Sequence, residues 1–439
     1  MTTVNRTGGA RRRFLRLLAG SAALPLLQLA PGLRQALAGE IDPIGLSPAV
    51  RKSLEEYDNA IASADMAVDV FDLEAVAQRN LHVGHNAYLS GVEDQATLRA
   101  NREGMKRYEL RPRRLVDVNN IDMSIDLFGR KYATPLILCP VGHQRAFNLE
   151  AEVPVARAAK ARNQLMALST GADCTVEEVV AARGAPVLFQ LYSNADWSRT
   201  RAMIKRAEAA GSTVMAFTVD ARGGYDRQIL TKVRRQNAQF CHQCHVPNPS
   251  DHDRAGENST ALSDRTFGDD KAPMLTTAPL GPPAIEKGAL TWDYVKRIKD
   301  TTSMKLLIKG ISAREDGELA MEHGADGVWL SNHGGRVENS GRSTIECIPE
   351  MVAGVAGRGP VIVDSGFRRG SDVFKALALG ATAVGIGRPY IWGLAAFGQE
   401  GVETAIKLMT SELQLTMRQF GAANTRAING SFVVDRARY

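Results

Sequence analysis

Apolar and polar positions along this chain repeat in units, each made of a short apolar run followed by a longer amphipathic stretch. The runs have the length of buried strands, and the Ala-rich stretches between them have helical spacing. Eight runs follow one another, at residues 135–141, 164–169, 187–191, 214–219, 305–309, 327–331, 360–364 and 383–387. Eight successive strand–helix units predict an α/β protein with a closed (β/α)8 barrel, the TIM barrel, and not an open doubly wound sheet.

Two regions depart from this repeat. Residues 39–130 precede the barrel of residues 131–439 and have a mainly helical pattern, which predicts an N-terminal helical segment. Residues 237–290, between the fourth and fifth strands, form a long insertion rich in Pro, Asp, Ser and Gly with little periodicity. Because that loop leaves the catalytic edge of the predicted barrel, it could serve as a lid.

The first 38 residues have the pattern of an export signal. Arg11-Arg12-Arg13-Phe14-Leu15 precedes a mostly apolar stretch at 17–30, and Ala36-Leu37-Ala38 is a small-x-small cleavage site. The twin arginines predict a twin-arginine signal peptide over residues 1–38 and a periplasmic protein exported in the folded state. An uncleaved amphipathic anchor is the alternative interpretation.

The formal charge of +6 comes from this leader. Residues 1–38 hold six Arg and no acidic residue, so the remaining chain carries 48 basic and 48 acidic side chains. The chain after the leader is therefore close to neutral, and we expect no nucleic-acid partner.

Polar side chains follow the predicted strands where each strand ends. His333 and Arg336 come directly after the sixth run, within Ser331-Asn332-His333-Gly334-Gly335-Arg336. A histidine can exchange a proton near neutral pH, and a guanidinium binds a carboxylate through two parallel hydrogen bonds. This loop therefore indicates an enzyme that acts on a small organic acid. Gly-rich turns with Arg368 and Arg388 follow strands seven and eight, where such barrels commonly bind phosphate.

The motifs of residues 70–430 are together specific to one family. They are Ser90-Gly91-Val92-Glu93-Asp94-Gln95, Arg111-Pro112-Arg113, Phe189-Gln190-Leu191-Tyr192, Thr218-Val219-Asp220, Leu307-Ile308-Lys309-Gly310, the His333 loop, the run from Asp372 to Gly380, and Ile386-Gly387-Arg388-Pro389. In this order the chain resembles the FMN-dependent α-hydroxy acid oxidases and dehydrogenases. The resemblance implies oxidation of an (S)-2-hydroxy acid to the 2-oxo acid, with FMN as cofactor.

The resemblance also implies a role for each matching residue. His333 would take the proton of the substrate alcohol or of Cα, and Asp220 would hold the resulting imidazolium. Lys309 would stabilise the negative charge of the reduced flavin. Substrate binding is implied for Arg227 and Arg336, as a carboxylate clamp, and for Tyr192. Cofactor binding is implied for Ser169, Gln190, Thr218, Lys309, Ser331, Asp364, Gly366, Arg368, Gly387 and Arg388.

Some positions depart from the family pattern. By the resemblance, Leu73 stands where most relatives have a Tyr that contacts the substrate carboxylate, and Gly171 replaces a Trp that lines the pocket of glycolate oxidase. The first strand ends in Pro140-Val141-Gly142 in place of Pro-Thr-Ala. We therefore predict a wide pocket and a 2-hydroxy acid that is bulkier or more apolar than a two-carbon one.

Other functions compete with this one. A periplasmic hydroxy-acid-binding protein would need the pocket but neither His333, Asp220 nor Lys309. An FMN barrel acting on a diphosphate would not need this set of motifs. The expected partners are a small-molecule 2-hydroxy acid, an electron acceptor (oxygen, a quinone or a cytochrome) and further copies of the chain in a homo-oligomer.

Cys241-His242-Gln243-Cys244-His245 has the C-x-x-C-H spacing of covalent haem c attachment. A haem held by Cys241, Cys244 and His245 could take electrons from the flavin, which would make the chain a flavocytochrome. A disulfide, a zinc or copper site, or a chance match are the alternatives. Haem c is normally attached to an unfolded exported chain, whereas the leader predicts export of a folded one.

Overall fold

The computed structural model describes residues 48–194, 196–221, 226–236 and 290–438. The predicted leader (1–38), nearly all of the insertion at 237–290, and Cys241, Cys244 and His245 lie outside these residues. None of the helices in the described ranges combines the length and apolar character that crossing a membrane requires.

Eight parallel strands close into a barrel, which confirms the fold predicted from the apolar runs. The strands are β4 (Leu136–Leu138), β5 (Leu165–Ser169), β6 (Leu188–Leu191), β7 (Val214–Thr218), β8 (Lys305–Ile311), β9 (Gly327–Leu330), β10 (Val361–Val363) and β11 (Ala383–Ile386). They pair in sequence order, and β11 pairs with β4 to complete the ring. Nearly all of their residues are buried, because side chains fill the barrel inside and helices cover it outside.

Helices precede the barrel and alternate with its strands. They are α1 (Pro48–Ala60), α2 (Val70–Asn80), α3 (Val83–Tyr88), α4 (Ala96–Glu103), α5 (Glu152–Ala161), α6 (Val176–Arg183), α7 (Trp197–Ala209), α8 (Gln228–Gln236), α9 (Trp292–Lys299), α10 (Arg314–Glu322), α11 (Thr344–Val355), α12 (Gly370–Ala378) and α13 (Arg388–Phe420). Local signals set several of these ends: Thr175 and Glu178 form a capping box at α6, and Gly184 ends that helix in the left-handed conformation.

The segment before the barrel also contains short strands. β2 (Ile125–Leu127) and β3 (Arg130–Tyr132) form a hairpin, and Leu127 and Tyr132 pack in one apolar cluster with the first residues of β5 and β7. The hairpin therefore covers the end of the barrel where the strands begin. β1 (Tyr108–Leu110) pairs with β12 (Val433–Asp435) in antiparallel register, Tyr108 opposite Asp435.

Residues 58–439 form one compact unit. The predicted boundary between residues 130 and 131 falls within this unit, inside β3 of the hairpin and before the first barrel strand. The residues before it contribute α2, α3 and α4, and α4 approaches the loops that leave β9 and β10, as its contacts with Gly335 and Gly366 show.

Candidate active site

Three strand ends bring His333, Asp220 and Tyr192 together. His333 follows β9, and its Nδ1 lies 3.2 and 3.1 Å from the two carboxylate oxygens of Asp220, which follows β7. Its Nε2 lies 3.3 Å from the hydroxyl of Tyr192, which follows β6. The Tyr192 and His333 rings are stacked with their centroids 6.5 Å apart. The carboxylate thus holds one ring nitrogen, and the other is available for proton exchange beside Tyr192.

Burial favours the neutral form of His333. Burial lowers the pKa of His333, and this effect exceeds the opposing attraction of Asp220. Burial raises the pKa of the Asp220 carboxyl, but His333 and Lys309 together bring that pKa below its ordinary value. At neutral pH the site therefore holds an ionised carboxylate next to a neutral imidazole, which is the form that accepts a proton.

Lys309 lies in a buried network at the ends of β8, β9 and β10. Its Nζ donates to Ser331 Oγ over 2.9 Å and lies 3.4 Å from an Asp364 oxygen. Asp364 also accepts hydrogen bonds of 2.7 Å from the hydroxyls of Ser331 and Ser365. Burial lowers the pKa of Lys309, but Asp364 and Asp220 raise it above its ordinary value overall. Lys309 is therefore a fixed positive charge in the barrel mouth.

Arg336 and Arg227 lie on the same aromatic ring. The Arg336 guanidinium is 4.3 Å from the ring centre of Tyr88, and that of Arg227 is 5.7 Å from it. Arg336 also donates to the Tyr88 backbone carbonyl over 2.8 Å. Its Nε is buried and has no hydrogen-bond partner among the described residues. Two guanidinium groups, one with a buried N–H that lacks a partner among the described residues, could bind a substrate carboxylate.

The sequence did not single out Tyr88 for this site. The resemblance placed Leu73 at the position of the Tyr that contacts the substrate carboxylate in most relatives. In the structure Leu73 lies fully buried in the apolar core as part of α2. Tyr88 ends α3, two residues before the Ser90-Gly91 motif, and its hydroxyl donates to the Gly142 carbonyl over 3.4 Å. The one sequence signal that could have identified Tyr88 is its position two residues before that motif. The helical region before the motif resembles the family too poorly to give another signal.

Ser169, Gln190 and Thr218 form a buried polar row along the ends of β5, β6 and β7. The Ser169 hydroxyl donates to Gln190 Oε1 over 3.1 Å, and Gln190 Nε2 donates to Thr218 Oγ1 over 2.9 Å. Adjacent hydroxyl and amide groups of this kind suit the heteroatom edge of a planar ring system such as isoalloxazine.

The ends of β10 and β11 suit a phosphate group. α13 begins directly after β11 with Gly387 as N-cap, and none of the side chains that the structure describes caps the amides of its first turn. The buried Arg368 guanidinium lies 4.8 Å from the ring centre of Trp392, which is in the second turn of this helix. An uncapped helix N-terminus beside a guanidinium is an anion site. The residues present therefore fit FMN, with its phosphate at this end.

The Gly366 backbone and the Arg388 side chain have contacts that the sequence did not predict. Gly366 has φ +89°, and a Cβ there would lie 2.4 Å from the Asn101 carbonyl oxygen, so only glycine fits. Arg388 donates to the carbonyl oxygens of Leu89 (2.9 and 2.6 Å) and Gly334 (3.1 Å). Its side chain therefore links the His333 loop to the turn after α3.

Within the described ranges, no group of three His, Cys, Asp or Glu side chains could hold a metal ion. Cys139, Cys174 and Cys347 are buried free thiols. The interpretation of Cys241, Cys244 and His245 as a haem or metal site concerns residues outside these ranges and stays a prediction.

Comparison with known proteins yields a family match and many relatives. The model of FMN-dependent dehydrogenases matches residues 77–435. A 2-hydroxyacid oxidase of Dictyostelium discoideum is 37% identical over 381 residues, covering 85% of this chain and 92% of that protein. The glycolate oxidase of Spinacia oleracea is 36% identical over 366 residues, covering 83% and 95%.

Solved structures give the same result. A mandelate oxidase variant with (S)-mandelic acid superimposes with a TM-score of 0.70 at 33% identity, covering 82% of this chain and 97% of that one. The family match, the relatives and the barrel fold agree with one another. The chain therefore belongs to the family of FMN-dependent dehydrogenases and is an FMN-dependent oxidoreductase related to the 2-hydroxy acid oxidases.

Proposed function

We propose that this enzyme oxidises an (S)-2-hydroxy acid to the 2-oxo acid, with His333 as the base and Arg227 and Arg336 as the carboxylate clamp. The observation that carries the proposal is the position of His333. It lies between Asp220 and Tyr192, three residues before an arginine with a buried, unused Nε. A base and a carboxylate site on one loop match a substrate whose carboxylate and hydroxyl are on adjacent carbons.

Each residue has a defined part in this reaction. The clamp binds the substrate carboxylate, and Tyr192 hydrogen-bonds the substrate near the reacting carbon. Oxidation removes two electrons and two protons from the substrate, and His333 accepts one proton at Nε2, from the hydroxyl or from Cα. Asp220 stabilises the imidazolium that forms. Bound FMN would supply the acceptor for the two electrons and for the second proton.

The residues that would hold FMN follow from the fit described above. Ser169, Gln190 and Thr218 would bind the edge of its ring system, and Ser331, Asp364 and Lys309 would bind the part near the barrel axis. Gly366, Arg368, Gly387 and the first turn of α13, which begins at Arg388, would hold its phosphate. The buried charge of Lys309 would stabilise negative charge on the ring system.

The substrate we propose carries a bulky or apolar substituent. Among the described residues, a Cβ at Gly171 would come within 4 Å of Ser169 Oγ (3.7 Å) and Gly142 Cα (3.9 Å) only, so this wall of the site has room for a larger group. The relatives include an L-lactate oxidase from a Nostoc species and a mandelate oxidase with (S)-mandelic acid. Rates of flavin reduction by glycolate, L-lactate and (S)-mandelate test this substrate class, and a preference for glycolate would contradict it.

Replacement of His333 tests the assignment of the base. We expect His333→Ala to retain FMN but to lose flavin reduction by at least ~10²-fold, because no other described group replaces the proton acceptor at Nε2. Stopped-flow bleaching of the flavin absorbance measures this directly. His323→Ala is the matched control, since that histidine lies at the end of α10 with its Nδ1 3.0 Å from the Leu319 carbonyl oxygen.

Bleaching of His333→Ala at the rate of the unmodified protein would contradict the role of the base. A flavin-loaded unmodified protein that binds hydroxy acids but is bleached by none of them would support a binding protein instead. Reoxidation of the reduced protein by oxygen, a quinone or a cytochrome would then identify the electron acceptor.

A further inference from the structure

The loop that carries His333 has an unusual backbone. His333 has φ +57°, and Gly334 and Gly335 follow with φ +67° and +71°. Three consecutive residues are thus left-handed, and the first of them has a side chain for which this conformation is unfavourable. The loop therefore needs contacts from outside the strand to stay in this shape.

An amide pair from outside the barrel supplies such contacts. Asn101 of α4 donates from Nδ2 to Asn332 Oδ1 over 2.9 Å, and Asn332 donates from Nδ2 to Asn101 Oδ1 over 2.8 Å. Both side chains are buried, with 1% and 5% of their surface exposed. Asn332 immediately precedes His333, so this reciprocal pair fixes the residue next to the base.

The two amides also bind the backbone around them. Asn332 Oδ1 accepts from the Gly335 amide over 3.2 Å, and Asn332 Nδ2 donates to the Arg342 carbonyl over 3.0 Å. Asn101 Oδ1 accepts from the Thr344 amide over 3.3 Å. Exchanging Oδ1 and Nδ2 in either side chain would place a donor against a donor and an acceptor against an acceptor. The hydrogen bonds therefore define one orientation of both amides.

α4 reaches the neighbouring loop as well. Arg102, next to Asn101, donates to the Gly366 carbonyl over 2.5 Å and pairs with Asp372 at 2.7 Å. The Asn101 carbonyl lies so close to Gly366 that a Cβ there would be 2.4 Å away. One turn of α4 therefore contacts both the His333 loop and the loop after β10.

We propose that Asn101 is a positioning residue that acts through Asn332 to hold His333 in its left-handed conformation, and so in register with Asp220. The proposal rests on the proposed function of His333, but it concerns a residue of the N-terminal segment that has no part in the proposed substrate clamp or FMN site. Loss of the pair lets the loop relax toward ordinary backbone angles, which moves Nδ1 away from the carboxylate. A shift of about 1 Å in a reacting group can slow a step by ~10²-fold.

Two substitutions and a matched control test the proposal. Asn101→Ala removes the amide, and Asn101→Leu removes it while filling most of the space. Asn339→Ala is the control, because Asn339 joins the same two segments through Thr97, Glu93 and Asp94 but is only half-buried and lies six residues beyond His333.

We expect both Asn101 variants to load FMN and to reduce it about 10- to 100-fold more slowly at saturating 2-hydroxy acid. The substrate concentration for half-maximal rate should change less than about threefold, because Arg336 keeps its own contacts with Tyr88. Amide hydrogen exchange of residues 332–336, measured without substrate, should become faster. The Asn339→Ala variant should stay within about twofold of the unmodified protein in rate, with unchanged exchange in these residues.

An FMN-loaded Asn101 variant that reduces flavin at the unmodified rate would overturn the proposal. Failure of both variants to fold would also overturn it, because the pair would then serve the fold and not His333. A failure of the proposed function looks different: no 2-hydroxy acid would bleach the unmodified protein, while the exchange measurement would still report on the loop.

Discussion

At the residue scale, sequence patterns identified the polar groups that directly follow the strands. His333, Asp220 and Tyr192 could be found because each follows an apolar run, and Lys309 because it ends one, and strand ends of a barrel meet at one edge. Tyr88 and Asn101 could not be found this way. Both lie on helices before the barrel, and only the return of that segment to the barrel mouth brings them to the His333 loop.

The pKa of His333 predicts how flavin reduction depends on pH. Only the neutral imidazole can accept a proton, and burial lowers the pKa below its ordinary value of about 6.5. Activity should therefore persist below pH 6.5 and fall as the pH decreases through the lowered pKa. The second-order rate constant of flavin reduction, measured against pH, reports this pKa in the free enzyme.

The Asp220→Asn variant is the comparison for this pH profile. The Asp220 carboxylate raises the pKa of His333, so its removal should move the acidic limb to still lower pH while the rate decreases. An acidic limb that moves to higher pH in Asp220→Asn would contradict this account of the base.

At the element scale, the alternation of strands and helices was predictable, but irregularities within strands were not. β8 shifts its register against β9 between Lys309 and Ile311, and Gly310 lies at the shift with φ +93°. Because of this bulge, Lys309 pairs with Trp329 of β9 and Ile311 pairs with the next β9 residue, Leu330. A glycine in an apolar run suggests a bulge or a close contact, but the sequence does not say with which residue.

Gly310→Ala should therefore affect the site as well as the fold. A Cβ at this position would lie 2.6 Å from Asp220 Cγ, so the carboxylate must move away from its place beside His333. We expect slower flavin reduction in addition to a loss of about 1 kcal/mol or more of folding free energy from the positive φ. Chemical denaturation and stopped-flow reduction measure the two effects separately.

Gly324→Ala is the matched control for Gly310→Ala. Gly324 has φ +81°, yet a Cβ there would meet nothing within 4 Å. It should lose a similar folding free energy from the backbone and keep its rate of flavin reduction. Equal rates for the two variants would show that Gly310 serves only the backbone of β8.

At the scale of the whole molecule, length and the eight repeats predicted the barrel, but not how the preceding segment joins it. Pairing of β1 with β12 depends on residues more than 300 positions apart, which no local pattern reveals. The ion pair of Arg107 with Asp435, with bonds of 2.8 and 2.7 Å, reinforces the same contact.

We propose that the chain is exported to the periplasm in the folded, FMN-loaded state, as Arg11 and Arg12 suggest. Changing both to Lys should leave flavin-loaded precursor in the cytoplasm, because a twin-arginine signal depends on the arginine pair. Cell fractionation followed by flavin fluorescence checks this. Normal periplasmic accumulation of the double variant would contradict the interpretation of the leader.

The pairing of β1 with β12 has a consequence for the timing of biosynthesis. A ribosome makes the helices that hold Tyr88 and Asn101 early, but β1 has no partner strand until residues 433–435 leave the exit tunnel. Domains can begin to fold during synthesis, yet contacts between residues so distant in sequence form late. A nascent chain that still lacks these residues is therefore expected to leave the segment that carries Tyr88 and Asn101 without this anchor.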